Sequence, residues 1–360
     1  FAFSVILITG TFVINKQLNY IRSKELGYDK EHIFSFYMKE MSPHYEAMRA
    51  NLLKQPAIQA VTRSGNSTIV DLDNQTGNND FDGKVAGETL MVYPVAIDKD
   101  FIPFFKMKMV AGSNFTGMPA DSTHVILNEA AVRAARFRDP IGKRFRLWQN
   151  NATVVGVVKD FHFASMKKAI EPAVFYYNPN NNTRAYIRTT GQDAAKAIAA
   201  AEAEWKKYNS GYPFNYTFLD ESFNKLYLSE QRTGTLFNIF AGIAILISCL
   251  GLLGLTAYTA QIRTREIGVR KVLGASIASV VGLLARDFIK LVLISIVVAV
   301  PVAWYAMNKW LQDFAYKINI DWTIFMFSGL LAIFIAVVTI SLQSVKAALL
   351  NPVKTLKQMD

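Results

Sequence analysis

The chain is short of cysteine and short of charge. Cys249 is the only thiol among 360 residues, which excludes an intramolecular disulfide framework and a cysteine-rich zinc site. Charged residues make up 19% of the chain, where a soluble domain carries roughly 25%. It contains no glycine loop ending in Lys-Ser/Thr of the kind that cradles nucleotide phosphates, and no Gly-x-Ser-x-Gly elbow for a serine nucleophile. Its histidines stand at 32, 44, 124 and 162 with no ligand spacing between them. The Asp160/His162 pair therefore reads as structural. The acidic stretch from Asp71 to Gly83 has Thr76 and Asp82 where a calcium-binding EF-hand loop needs Gly and Glu, so it reads as a solvated loop. No catalytic, cofactor or metal residue is expected on this chain.

What the chain does have is apolar length. Half of it (51%) is hydrophobic. Phe1–Asn15, Leu236–Ala260, Leu291–Asn308 and Trp322–Val345 carry no charge. A helix needs about 20 apolar residues to cross a ~30 Å hydrocarbon core, and the last three runs suffice. The first is short and starts at residue 1. It is expected to be the tail of a span rather than a signal-peptide core, because no basic segment precedes it and Lys16-Gln17-Leu18-Asn19 is no cleavage site.

The net charge of +11 is unevenly placed. Residues 18–235 hold 27 basic against 23 acidic side chains, and the remainder 12 against 5. The short segment 261–281 and the tail after Val345 together hold seven basic against two acidic residues, whereas 309–321 is balanced. Basic short loops stay cytoplasmic. The 261–281 segment and the tail are expected inside, and the large domain and 309–321 outside. A basic excess beside spans, without a dense patch elsewhere, argues against nucleic-acid binding.

Within the outer part, 33–63 and 185–218 each read strand, helix, strand, and two such units can complete one small sheet in a split-βαβ arrangement. Asp193 is placed to cap the second helix. Residues 65–182 read as a β-rich insertion. Asn15–Leu26 and Ser222–Thr235 are expected to extend the flanking spans as helical stalks. The spans hold little that suits a conduction path: Arg286, Asp287 and Lys290 lie at the inner end of the third, where a charge can reach the interface. Pro301 is expected to kink that span. Ser248, Gly251 and Gly254 form a small-residue face, which serves either packing within the chain or a dimer contact.

The most informative stretch is Arg263-Thr-Arg-Glu-Ile-Gly-Val-Arg-Lys-Val-Leu-Gly-Ala-Ser276. Glu266 and Arg270 stand four apart in the favourable order. Gly274 suits a helix C′ position and Ser276 the cap of the next helix. A short basic helix between two spans is expected, with Ile267 and Leu273 as apolar contacts. The segment from Arg265 to Ala275 resembles the signature of FtsX-like/MacB-like ABC transporter permeases. Gly156-Val-Val-Lys-Asp-Phe-His-Phe163 is similar to a recurring stretch of the MacB-like periplasmic core domain. Pro301–Trp310 and Asn351-Pro-Val-Lys-Thr-Leu356 extend the likeness.

The resemblance implies a membrane protein of four transmembrane α-helices, with a large α+β extracytoplasmic domain inserted between the first and second. The expected division is span 1 at 1–17, a stalk at 18–32, a porter-like subdomain at 33–64 and 183–220, and a sabre-like β-rich subdomain at 65–182. A second stalk at 221–235 leads to span 2 at 236–260, the coupling loop at 261–281, span 3 at 286–308, an outer loop at 309–321, span 4 at 322–345 and a cytoplasmic tail at 346–360. By resemblance Arg263, Arg265, Glu266, Ile267, Gly268, Val269, Arg270, Lys271, Leu273, Gly274 and Ala275 dock on a separate ABC ATPase subunit, which binds the ATP and Mg. The chain itself is expected to be non-catalytic and to work as a dimer or pseudo-dimer in the inner membrane. A periplasmic adaptor or substrate protein is a further expected partner. The implied role is ATP-driven export of antimicrobial peptides, antibiotics or lipoproteins. The alternative is an FtsX-like regulator that signals to a partner such as a cell-wall hydrolase. The start at Phe1 looks like that of the C-terminal half of a duplicated, Bacteroidetes-type permease.

Overall fold

A computed structural model of the chain describes residues 1–65, 68–178, 181–263, 266, 269–270 and 273–348. They fall into two compact units. One is Lys24–Leu228; the other joins Phe1–Ser23 to the chain from Ser229 onward.

The Lys24–Leu228 unit is built on one sheet in the order β11-β1-β10-β2-β4-β9-β6-β8-β7-β3, with β5 added on β8. Its first section uses β1 (Ile33–Tyr37), β2 (Ile58–Ser64), β10 (Arg184–Thr189) and β11 (Tyr216–Phe218). Strand β10 lies between β1 and β2, and β1 between β10 and β11, all antiparallel to their neighbours. Helix α2 (Tyr45–Leu52) therefore crosses over β10, and α5 (Ala194–Lys206) crosses over β1. The sequence pattern explains both helices. Tyr45, Met48 and Leu52 fall on one face of α2; Ala197, Ala201 and Trp205 fall on one face of α5, and all are buried. They close over Phe34, Phe36 and Ile187 from the strands. Each large apolar side chain so buried contributes roughly 1.5–3 kcal/mol. Asp193 stands at the N-cap of α5, but its side chain makes no cap bond and pairs with Lys196 at 2.8 Å instead.

The second section holds β3 (Asn79–Phe81), β4 (Tyr93–Ile97), β5 (Met109–Gly112), β6 (His124–Asn128), β7 (Arg144–Leu147), β8 (Asn150–Val158) and β9 (Ala173–Tyr177). Helices α3 (Phe101–Phe104) and α4 (Glu129–Ala134) interrupt it. Its strands form their own apolar cluster around Val125, Leu127, Phe145, Val154 and Val174. The inserted stretch does not form a separate sheet. It continues the first section through the single pair Ser64↔Ile97 and the bond from Gly65 N–H to the Ala96 carbonyl at 2.9 Å.

In the other unit, α7 (Leu228–Ile262), α8 (Ile277–Leu311) and α9 (Trp322–Ala348) include three stretches long and apolar enough to cross a membrane. Helix α1 (Ala2–Ser23) packs on α8 and α9 through Val5, Ala299 and Ala332, where small residues let the backbones approach. The Gln17 side chain donates to the Tyr316 carbonyl and accepts from Ile318 N–H, both at 2.9 Å. Lys16 pairs with Asp321. The polar end of α1 is thus tied to the connection between α8 and α9. Helix α8 runs through Pro301 as one element. The expected stalk helices are shorter than the sequence suggests. Helix α1 stops at Ser23, and Leu226–Tyr227 forms a turn between α6 (Leu219–Lys225) and α7.

Candidate functional site

The segment between α7 and α8 carries the densest set of singled-out residues. Arg265, Ile267, Gly268 and Lys271 lie outside the described residues, as does the 351–356 motif. The others form a compact local device. Arg270 donates to Glu266 at 2.8 Å. Leu273 N–H bonds the Val269 carbonyl at 3.1 Å, and Ala275 N–H reaches back to the Arg270 carbonyl at 2.9 Å. Between them Gly274 takes φ +88°. This is a Schellman ending, and the left-handed residue at C′ is the reason glycine is there. Ser276 then accepts from Ser279 N–H and caps α8. A helix stop and a helix start two residues apart hold the turn in a defined shape.

Its surface is unusual for a charged loop. Leu273 is 81% exposed and Val269 51%, beside the Glu266–Arg270 pair. Arg263 at the end of α7 bonds Asp287 of α8 at 3.2 Å, so the two long helices are tied together at the base of the segment. Asp287 looks interfacial in the sequence, and its partner is visible only once the helices are adjacent.

Of the small-residue face on α7, Ser248 finds a neighbour: its hydroxyl lies 3.1 Å from that of Ser4 on α1. Gly251 and Gly254 do not; a Cβ at either would meet no atom within 4 Å. The face is split, one side used within the chain and one side open.

The Gly156–Phe163 stretch has a place of its own at the two ends of the Lys24–Leu228 unit. His162 N–H donates to the Leu26 carbonyl at 2.7 Å. Gly27, at φ +83°, runs so close that a Cβ would lie 2.7 Å from the Asp160 carbonyl oxygen. Phe161 and Tyr28 meet edge to face. Three residues beyond Phe163, Met166 N–H donates to the Tyr227 hydroxyl at 2.9 Å. The stretch thus holds the first residues of the unit, and Met166 just beyond it holds Tyr227 near the last. The Asp160 carboxylate accepts from Ala130 N–H at 2.8 Å and pairs with Arg133. Burial, with Lys24 adding to it, lowers the His162 pKa and so disfavours the charged ring. The acidic loop is also structural: Arg144 pairs with Asp80 at 2.9 Å and with Asp82, and holds the Asp80 carboxyl below its ordinary range.

The fold and the segment define a membrane protein: apolar helices, one compact charged turn between two of them, and a large α/β domain carried in the chain. The MacB-like periplasmic core domain family matches residues 2–204, and the FtsX-like permease C-terminal family matches 238–352. The first match spans more than half of the chain, so the chain belongs to the family of ABC transporter permeases with a MacB-like periplasmic core domain and an FtsX-like C-terminal domain. An uncharacterized ABC transporter permease, YknZ of Bacillus subtilis (strain 168), is 20% identical over 279 residues, covering 72% of this chain and 68% of the relative. The periplasmic region of MacB from Actinobacillus actinomycetemcomitans is similar at 15% identity and a TM-score of 0.41, over 58% of this chain and 98% of that one. The extracellular domain of YknZ from Gram-positive bacteria gives 15% and 0.37, over 51% and 97%.

Proposed function

We propose that this permease subunit couples ATP hydrolysis on a separate ABC ATPase to movement of its Lys24–Leu228 domain. The turn at 263–275 is the docking element. The observation that carries this reading is the exposed pair of apolar side chains, Val269 and Leu273, on a turn fixed by the Gly274 ending and the Ser276 cap. Exposed apolar residues beside a charged pair suit a protein partner better than water. In this reading α1 is a fourth span, the 263–275 turn is cytoplasmic, and the large domain is periplasmic in a cell with an inner membrane. The open Gly251/Gly254 face of α7 receives the second permease half. The Gly156–Met166 segment, bonded to Leu26 near one end of the large domain and to Tyr227 near the other, passes helix movement into the sheet. The work done outside is extrusion of antimicrobial peptides, antibiotics or lipoproteins.

The test is co-purification of the permease with its partner ABC ATPase. Glu266→Lys and Arg270→Glu break the i,i+4 pair, worth about 0.3–0.5 kcal/mol to the turn itself, and reverse the charge offered to the partner. Each variant is expected to insert normally and to lose the ATPase; retention of the ATPase by both would remove the docking assignment.

A further inference from the structure

A groove in the second section of the sheet is absorbed by none of this. Two cavities lie there, of about 300 and 580 Å³, with two lining residues in common. Trp148 and Tyr176 line both, and their rings meet edge to face at 5.3 Å. Asn181 adds an amide to the smaller chamber; Asn150, Asn178 and Tyr177 line the larger one. No charged side chain is among the described residues that line either chamber.

Trp148 is one of five non-glycine residues among the described ones with a positive φ. Leu147 pairs with Asn150, so Trp148 is the first of only two residues in the β7–β8 turn, and its φ is +55°. Gly, Asn or Asp is usual there, and the left-handed conformation costs a bulky residue roughly 1–2 kcal/mol. Such strain is kept where the surroundings over-determine it, and it clusters at ligand sites. Here it sets an indole ring in the wall shared by both chambers.

The facing rim is equally fixed. Asp121 accepts from Thr116 N–H and Gly117 N–H, each at 2.7 Å. The Tyr177 hydroxyl donates to the Gly117 carbonyl at 3.2 Å, and the Asn150 amide to the Ser122 carbonyl at 2.7 Å. The groove is pre-organised, and its volume is that of a small-molecule site.

We propose that this groove binds a neutral oligosaccharide. The apolar face of a pyranose ring packs on an aromatic ring, and its hydroxyls both donate and accept. Side-chain amides answer both roles. The described lining residues offer no charged side chain to pair with a charged peptide or an anionic ligand, whereas an uncharged sugar needs none. The larger chamber offers Tyr177 to a sugar ring, and Trp148 and Tyr176 give both chambers aromatic surface. The proposal is independent of ATPase docking.

The test uses the full chain in phospholipid nanodiscs, which avoids sugar-headed detergents. Chitotriose, cellotriose and maltotriose are titrated by saturation-transfer NMR, beside trigalacturonate and a blocked trialanine peptide. At least one neutral trisaccharide is expected to bind saturably. Trp148→Gly removes the ring but suits the turn, and it is expected to weaken binding by about tenfold or more. Asn178→Ala, away from the strained turn, is expected to weaken it as well and decides the matter if Trp148→Gly fails to fold. Tyr212→Ala, outside the groove, leaves it unchanged. Binding of no neutral sugar, binding unaffected by the groove variants, or preference for the peptide or the anionic sugar would each overturn the proposal.

Discussion

Asp98 shows how one side chain joins the two sections of the sheet. It is buried, and its carboxylate accepts from the Thr62 hydroxyl at 2.5 Å, the Tyr45 hydroxyl at 3.1 Å, and the N–H groups of Arg63 and Asp100. Thr62 and Arg63 belong to β2, while Asp98 follows β4, so these bonds reinforce a seam that has one ladder pair. Burial is the largest influence on the carboxyl and outweighs these donors, raising its pKa from 3.8 to about 6. A carboxyl raised by folding stabilises the native state while it is protonated. That stability is present below the unfolded value and is lost as pH rises to about 6. The loss is on the order of 3 kcal/mol. In Asp98→Asn this component is expected to vanish, so the stability gap between wild type and variant should change between pH 4 and 6 and stay flat above. Denaturant unfolding across that range checks it; a gap constant with pH would refute the assignment. No sequence pattern marks Asp98, because its donors come from positions 45, 62, 63 and 100 and meet only in the fold.

At the scale of elements, the clasp between the Gly156–Met166 segment and the ends of the Lys24–Leu228 unit makes a sharp prediction. Gly27→Ala meets both a left-handed backbone and the Asp160 carbonyl at 2.7 Å. It should cost roughly 2 kcal/mol or more, since the left-handed term alone is 1–2. Tyr227→Phe leaves Met166 N–H without its acceptor in a buried site, at about 1–3 kcal/mol. Thermal melts of the intact protein are expected to show both losses. Melts at the wild-type temperature would mean that the stretch does not bear on the ends of the domain. Elements whose signal is local were legible beforehand. The periodicity of Tyr45, Met48 and Leu52 marks α2, the run at Ile33–Met38 marks β1, and Gly274 with Ser276 marks a stop and a start. The breaks at Ser23 and at Leu226–Tyr227 were not, because no glycine or proline stands there. The break before α7 coincides with a tertiary bond, the one that Tyr227 accepts from Met166.

At the scale of the molecule, charge placement predicts an orientation. Seven basic against two acidic residues in 261–281 and the tail, against a balanced 309–321, predict opposite sides of the bilayer for these segments. With Cys249 replaced by Ser, Lys317→Cys should react with an impermeant maleimide on intact cells, and Leu273→Cys only after permeabilisation. The reverse pattern would invert the topology. Membrane class, apolar runs and the capped turn were legible in the sequence alone, because each depends on composition or short-range spacing. The tertiary structure alone decided the rest. It joined β2 to β4 into one sheet, brought Asp287 to Arg263 and Ser4 to Ser248, and set Trp148 and Tyr176 around one groove. Residues 24, 28, 244 and more positions apart come together only when loops have closed, and the loop-closure entropy is offset by burial summed over the whole core. No local window of sequence contains that sum.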